Sequence, residues 1–374
     1  MSTPTVSVII PSYNYARFVR EAVDSALAQP YRALEVIVVD DGSKDNTRAV
    51  MAVYDGNPRV RYIPQANKGL PGARNTGIRA ATGKYIAFLD ADDVWEPEKI
   101  EQQLDLYEQH SEAAIVATDS YEFFEESGKG QAASGTSFSD TLSAESSIQQ
   151  TADGRPQTTD FISHPSSLIP HPSRFTSYSL RDLVEFSPFR PSSVMMRKDL
   201  CENAGLFDEA LKYVEDLDMW ARMAAHGPIL RLDRKLTGYR NHPAVQSMHL
   251  GPHIEYHHRA LTKLFTTVPM CQTHPHWRRI AEARLCQYLS WMKYASGNRL
   301  GAIREIIASM LYWPFALRDG PNSYQRWHRA KRLLRYALAK PPSAERSQKS
   351  EINDSDTSVA SAASVVLPKQ GIQR

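Results

Sequence analysis

Cysteine is scarce in this chain of 374 residues, which has only Cys201, Cys271 and Cys286, far apart and odd in number. They make neither a disulfide framework nor a pair of zinc-binding C-x-x-C knuckles, and a reducing, cytoplasmic setting is expected. Long apolar runs are missing too: no uninterrupted stretch approaches the ~20 residues that a membrane-spanning helix needs. Met1 leads straight into V-S-V-I-I without a basic n-region or a cleavage site, so no secretory signal is expected. No G-x-G-x-x-G follows that first apolar run, and no G-x-x-x-x-G-K-[ST] occurs anywhere. These absences argue against a dinucleotide cradle and exclude P-loop chemistry. An EF-hand fails as well: Asp90, Asp92 and Glu101 fall at its first, third and twelfth positions, but Val94 and Trp95 stand where an oxygen ligand and a glycine are needed.

What is present is ordinary for a globular protein, with 42% apolar and 23% charged residues. The net charge of +2 conceals an asymmetry. Residues 252–340 hold 15 Lys/Arg against 4 Asp/Glu, whereas residues 1–251 hold 25 against 34. An acidic body therefore carries a basic C-terminal segment, and the two parts are expected to meet different partners.

The first hundred residues alternate apolar runs with stretches of helical period. Val6–Ile10, Val36–Val39, Val60–Ile63 and Tyr85–Leu89 read as strands. Between them, Phe18, Val19, Ala22, Val23, Ala26 and Leu27 repeat at helical spacing, a helix starts near Thr47, and another starts near Pro71 and ends by Gly83. This β-α-β-α-β order predicts an α/β fold with a mostly parallel central sheet covered by helices on both faces. Five segments are expected: 1–124, the β-α alternation; 125–178, a flexible insert rich in Ser, Thr and Gln; 179–251, a second part of the body; 252–340, a basic helical subdomain; and 341–374, a disordered tail. The insert reads either as a lid that orders on binding or as a plain disordered insertion. Within 179–251, residues 192–197 read as a strand, and short helices are expected over 199–204 and 215–226, ended by Gly205 and Gly227.

Ligands of a parallel α/β sheet bind outside the carboxyl ends of the strands. There the sequence places Pro11-Ser12-Tyr13-Asn14, Asp40-Asp41-Gly42-Ser43, Arg74-Asn75 and Asp90-Ala91-Asp92-Asp93. Five acids on one rim repel one another unless a cation or a donor-rich ligand joins them, which is the logic of a hard-metal site.

Six segments now carry a resemblance: VSVIIPSYN (6–14), EVIVVDDGSKDNT (35–47), NKGLPGARNTG (67–77), GKYIAFLDADD (83–93), GLFD (205–208) and EDLDMWAR (215–222). In this order and spacing the chain resembles family 2 glycosyltransferases, inverting enzymes of GT-A fold, over about residues 4–125 and 188–242, which implies that 1–124 is the donor-binding half and 179–251 the acceptor-side half, with the insert, in its lid reading, an acceptor lid. The resemblance implies a nucleotide-diphosphate sugar donor, UDP-sugar being the commonest case, and a saccharide or lipid-linked saccharide acceptor in surface polysaccharide or glycolipid assembly. It implies donor contacts from Pro11, Tyr13, Asn14, Asp40, Asp41, Arg74, Asp90, Ala91 and Arg240. Asp90-Ala91-Asp92 is similar to the D-x-D motif, with Asp92 the first candidate ligand of Mg2+ or Mn2+, Asp90 beside it and His242 a third. Asp216 takes the place of the general base, with Glu215 the runner-up, since neighbouring residues on a helix point ~100° apart. The Q-x-x-R-W of processive membrane synthases is absent.

Other readings compete. A sugar nucleotidyltransferase would want a Gly-rich loop after the first strand, where Pro11–Asn14 stands. A non-catalytic relative that binds a glycan or a partner would not need Asp90, Asp92 and Asp216, and all three are present. Trp220 reads as a core aromatic before a sugar platform, and Cys201 as a small buried side chain before a nucleophile. His253, His257 and His258 lack the spacing of a metal site. The basic segment accompanies no nucleic-acid motif, so no nucleic acid is expected. Its patch Met310–Leu317, followed by Arg318, Arg326, Arg329, Lys331, Arg332 and Arg335, suits peripheral contact with the anionic inner face of a cell membrane. Pro314 in mid-patch favours instead a subdomain whose apolar stripe packs on the body.

Overall fold

The computed structural model describes residues 6–124, 174–185, 189–242, 250–315, 317–320, 323–324 and 328–338. The remainder of the expected 125–178 insert and the tail 341–374 lie outside the described residues. The parallel half of the sheet is built from β1 (Val6–Ser12), β2 (Leu34–Asp40), β3 (Val60–Pro64) and β4 (Tyr85–Phe88), linked by helices α1 (Val19–Leu27), α2 (Thr47–Met51) and α3 (Gly69–Ala80). Strand β1 lies between β2 and β4, and β3 pairs the outer side of β2, all in parallel. Alternate residues of β1 serve opposite faces, as a period of two demands. Val8 and Ile10 pack with Val19, Ala22, Val23 and Ala26 of α1, while Ile9 packs with Ile78 of α3. Each such Val or Ile side chain contributes about 1.5–3 kcal/mol when fully buried. Gly77 lets α3 approach closely, since a Cβ there would stand 2.4 Å from Ile9 Cγ2.

Beyond β4 the sheet becomes mixed. It continues through β5 (Val94–Trp95), α4 (Lys99–Gln109), β6 (Ile115–Phe124), β7 (Phe175–Tyr178), α5 (Leu180–Glu185), β8 (Val194–Arg197), α6 (Lys198–Asn203), α7 (Glu215–Met223) and β9 (Ile229–Asn241). The strand order is β3-β2-β1-β4-β8-β6-β9-β5, with β7 also on β9. Strand β8 is antiparallel to β4 and β6, whereas β6 and β9 run parallel with irregularities around Asp119. Those irregularities let the long β9 pair with β7 near its start and with β5 near its end. The region expected as one insert to 178 is thus closed by the sheet from Phe175 onward. Trp220 is fully buried against Phe88 and Phe207, a core aromatic.

The C-terminal helices are α8 (Leu250–Thr267), α9 (Pro269–Thr273), α10 (His276–Ala295), α11 (Arg299–Tyr312) and α12 (His328–Leu338). The sequence predicts helix throughout this segment, but β10 (Arg318–Gly320) and β11 (Ser323–Tyr324) pair antiparallel between α11 and α12. Leu261, Leu264, Trp277, Ile280 and Leu317 pack on Leu180, Val184 and Ala221 of the α/β body. Lys263 adds ion pairs to Asp208 (2.6 Å) and Asp218 (3.0 Å), so the subdomain is anchored on α7. Among the described residues no helix is long and apolar enough to cross a membrane.

Candidate active site

The carboxyl ends of β1, β2 and β4 open on one rim. Pro11 is buried within β1, Tyr13 is exposed, and Asn14 adopts a left-handed φ of 58° that turns the chain outward. Asn14 braces the neighbouring loop: its N–H donates to Ser43 Oγ (2.9 Å) and its Oδ1 accepts from Lys44 N (2.8 Å). Asp40 and Asp41 are both buried and both bonded. Asp40 accepts from Ser43 N (2.8 Å) and from the Tyr62 hydroxyl. Asp41 accepts from Gln65 Nε2 (2.6 Å), Lys68 N and Gly69 N (both 2.8 Å). These last two N–H groups precede or open α3, where the first turn of a helix has no internal acceptors, so the carboxylate caps it.

The acids after β4 are held differently. Asp90 is partly exposed and pairs with Arg74 (2.9 Å), and its N–H donates to Ser192 Oγ (3.0 Å). Asp92 faces His242, with Oδ2 to Nε2 2.9 Å. Burial, then the Asp90 charge, raises the Asp92 pKa above the ordinary carboxylate range, against the pull of His242. Tyr15 also bonds Asp92, and burial with Asp92 and Asp90 nearby keeps its phenol protonated far above the usual range. Asp93 is buried, accepts from Ser192 Oγ (2.5 Å) and Arg240 N (3.1 Å), and is pushed well above the ordinary range by burial, Asp92 and Asp90. Ala91 is buried between them.

Arg240 lies close by, but its guanidinium is already engaged. It donates to Glu21 (2.5 Å) and, through Nε, to the Asp92 carbonyl (2.8 Å), and it lies over the rings of Phe18 and Phe123. It therefore fixes the main chain of the acid cluster against α1.

Arg74 joins the two halves. Fully buried on α3, it donates to Asp90 and to Glu215 Oε1 at the start of α7 (2.6 Å). Burial opposes its charge, but Asp90 and Glu215 more than restore it. Glu215 is buried, and that burial, with Asp216 adding, raises its pKa to about 7 although Arg74 pulls it down. Asp216 is half-buried, accepts from Leu217 N (2.8 Å), and is raised chiefly by burial. One residue further along α3, Asn75 bonds both the N–H and the carbonyl of Phe207 (2.9 Å each), locking G-L-F-D onto the parallel half of the fold.

The sequence reading placed Asp93 on the rim without giving it a role, and missed Tyr15, Ser192 and Glu21, which join the site through contacts that no spacing reveals. Among the described residues no three His, Cys, Asp or Glu side chains form a ready-made metal cage. Cys201 is buried, and its thiol is pushed up to about 12 by that burial, so it is inert. His258 pairs with Glu282 (3.3 Å) in the helical subdomain, and the side chain of His253 lies outside the described residues.

Residues 7–168 match the family model for glycosyl transferase family 2. Over this stretch the chain is similar to that family. An uncharacterized glycosyltransferase of Rickettsia prowazekii is 32% identical over 222 residues, 58% of each chain. Chondroitin synthase of Escherichia coli is 44% identical over 116 residues, covering 31% of this chain and 17% of that one. The chain thus spans a little over half the length of the Rickettsia relative it matches. Among solved structures, S. aureus TarS 1–349 aligns with a TM-score of 0.53 at 17% identity over 83% of this chain and 81% of that one. The same protein in complex with UDP-GlcNAc gives 0.54 at 18% identity, over 82% and 81%. The fold is GT-A, as the motifs imply.

Proposed function

We propose that the chain is an inverting glycosyltransferase that moves a sugar from a nucleotide diphosphate to a hydroxyl of a saccharide or lipid-linked saccharide. The observation that carries this reading is Arg74. A single buried guanidinium ties Asp90, on the strand-end acid rim, to Glu215, the neighbour of Asp216 at the start of α7, so a donor-side acid cluster and a second carboxylate pair border one site. Similarity to glycosyl transferase family 2 over residues 7–168 supports transferase chemistry, and UDP and UDP-GlcNAc, bound by TarS in its solved complexes, are the first donor chemistry to test here.

The base and ribose pocket would lie where Pro11–Asn14 meets the loop held by Asp40 and Asp41. A divalent cation, Mg2+ or Mn2+, fits the acids after β4: Asp92 and Asp90 are oxygen donors with surplus negative charge, and His242 adjoins them. Magnesium sites of this kind use one or two carboxylates and take the rest from substrate phosphates, so a complete protein cage is not required. When bound, the cation would stabilise the charge that develops on the departing diphosphate. Arg240, through the Asp92 carbonyl and the Asp93 carboxylate, and Ser192, through the Asp90 N–H and the Asp93 carboxylate, hold the cluster in place, which keeps those acids preorganised.

On the acceptor side, Glu215 is committed to Arg74, whereas Asp216 bonds only its own helix start. Asp216 is therefore the carboxylate free to take the proton of the attacking hydroxyl, and the raised pKa that burial gives it strengthens it as a base. Direct displacement with such a base inverts the anomeric centre.

The test is calorimetric titration of UDP, GDP and dTDP, each with Mn2+ or with EDTA. One nucleotide should bind in a metal-dependent manner, and Asp92→Ala should abolish that dependence. Asp216→Asn should keep nucleotide affinity while transfer falls by about 10²–10⁴-fold. Folded protein that binds no nucleotide would overturn the proposal in favour of a non-catalytic glycan-binding role.

A further inference from the structure

Among the described residues, the basic helical subdomain packs one of its two faces on the rest of the fold and leaves the other exposed. In α11, Ala302, Ile306 and Ser309 are buried. Leu300, Arg304, Ile307 and Leu311 recur at intervals of four, three and four, share the opposite face, and are all exposed. Leu300 and Leu311 leave 82% and 74% of their surface in solvent, and Phe315 just beyond leaves 65%. Helix α12 repeats the pattern: Arg329, Arg332 and Tyr336 are buried, while Lys331, Leu334, Arg335 and Leu338 face out.

The two helices are strapped together end to end. Arg329 at the start of α12 donates to the carbonyls of Ser309 (2.8 Å), Trp313 (2.5 Å) and Phe315 where α11 finishes. Arg299 at the start of α11 donates to the carbonyls of Tyr336 (2.5 Å) and Ala337 where α12 finishes. Each cation thus caps the negative end of the other helix. The pair runs antiparallel, with Tyr294 and Tyr336 stacked at 4.3 Å beside it. Leu300 and Leu338 consequently lie at one end of the pair, and Leu311 and Phe315 at the other.

We infer that this outward face of α11 and α12 lies on an anionic lipid bilayer. Exposed leucines and a phenylalanine over this length exceed the scattered apolar residues normal for a surface. The charged side chains interleaved with them, Arg304, Lys331 and Arg335, are all cations, and residues 252–340 carry a net charge of +11. Apolar side chains with cations between them match the acyl boundary and the anionic headgroups together. The contact is a surface one, since neither helix is long or apolar enough to span. Because Lys263 and the apolar cluster tie the subdomain to α7, a bilayer held here is mechanically continuous with the helix that begins at Glu215 and Asp216.

The test is co-sedimentation of the full chain with vesicles of phosphatidylcholine, with and without phosphatidylglycerol. The protein should pellet with the anionic vesicles, much less with the neutral ones, and should be released by salt, because screening weakens the headgroup attraction. Leu300→Ser with Leu311→Ser, and separately Lys331→Glu with Arg335→Glu, should each lower partitioning on the order of tenfold or more. Nucleotide affinity at wild-type level in both variants checks that they are folded. Failure of the wild type to pellet with anionic vesicles, or equal pelleting by the variants, would overturn the inference. A concentration-dependent dimer in light scattering, dissolved by the leucine substitutions while vesicles bind nothing, would assign the face to a second copy instead.

Discussion

Two acid clusters stand at the ends of strands on either side of β1, Asp40-Asp41 after β2 and Asp90-Ala91-Asp92-Asp93 after β4, and in the sequence they look alike. Their surroundings make them opposites. Asp41 takes three hydrogen bonds from the chain that opens α3, and Asp40 takes two from its own loop and Tyr62. Their charge is answered from within, and they hold a loop in place. After β4, half-buried Asp92 and buried Asp93 lie beside each other and Asp90, with one imidazole, one phenol, one buried serine and one main-chain N–H as nearest partners, and both pKa values rise. That repulsion is unresolved in the protein alone. A carboxylate cluster offers itself to a cation to the extent that the fold withholds donors from it.

The comparison can be tested from its largest consequence downward. Arg74→Met removes the one guanidinium linking the second cluster to α7. It should cost about 3–5 kcal/mol in denaturant unfolding, because Glu215 is left in a buried site without its partner. An effect below 1 kcal/mol would mean that the link is ornamental. Asp92→Ala should lower kcat/KM by about 10²–10³-fold with the Tm unchanged or raised, since it relieves like-charge crowding. A clear drop in Tm would place Asp92 with the loop-holding acids instead. Asp41→Ala should do the reverse, lowering stability by about 1–2 kcal/mol through the lost cap and changing kcat at saturating donor less than tenfold.

A last consequence concerns pH. Glu215 has its pKa raised to about 7 in the folded chain, above its ordinary 4.5, so between those values the native state binds more protons than the unfolded one. Its contribution to stability is fully present below about 4.5 and is lost as pH rises through about 7. Glu215→Gln should flatten that decline in urea midpoints measured between those two pH values, and an unchanged slope would refute the assignment.

The parallel half of the fold was legible because its strands are nearly continuous apolar runs and its helices carry a clean 3.6 period. β6 and β9 were not, because Asp119, Lys235 and their neighbours break the alternation where the ladder shifts register. For the site, the motif residues lie on the rim the strand ends define, yet their partners are far away in the chain. Arg74 meets Glu215 across 141 residues and Arg240 meets Glu21 across 219. The sequence reading gave Arg240 to the donor, and the tertiary contacts engage it with Glu21 and the Asp92 carbonyl.

The sequence by itself determined the α/β class, the order of the strand-end motifs and the charge imbalance between body and C-terminal helices, because each is written in local period or composition. Which acids are satisfied and which are left crowded, whether Glu215 or Asp216 is free, and which leucines of α11 and α12 remain outside were decided only by the tertiary structure. Hydrogen-bond partners and solvent are assigned by the packing of distant segments, and neither spacing nor composition carries that information.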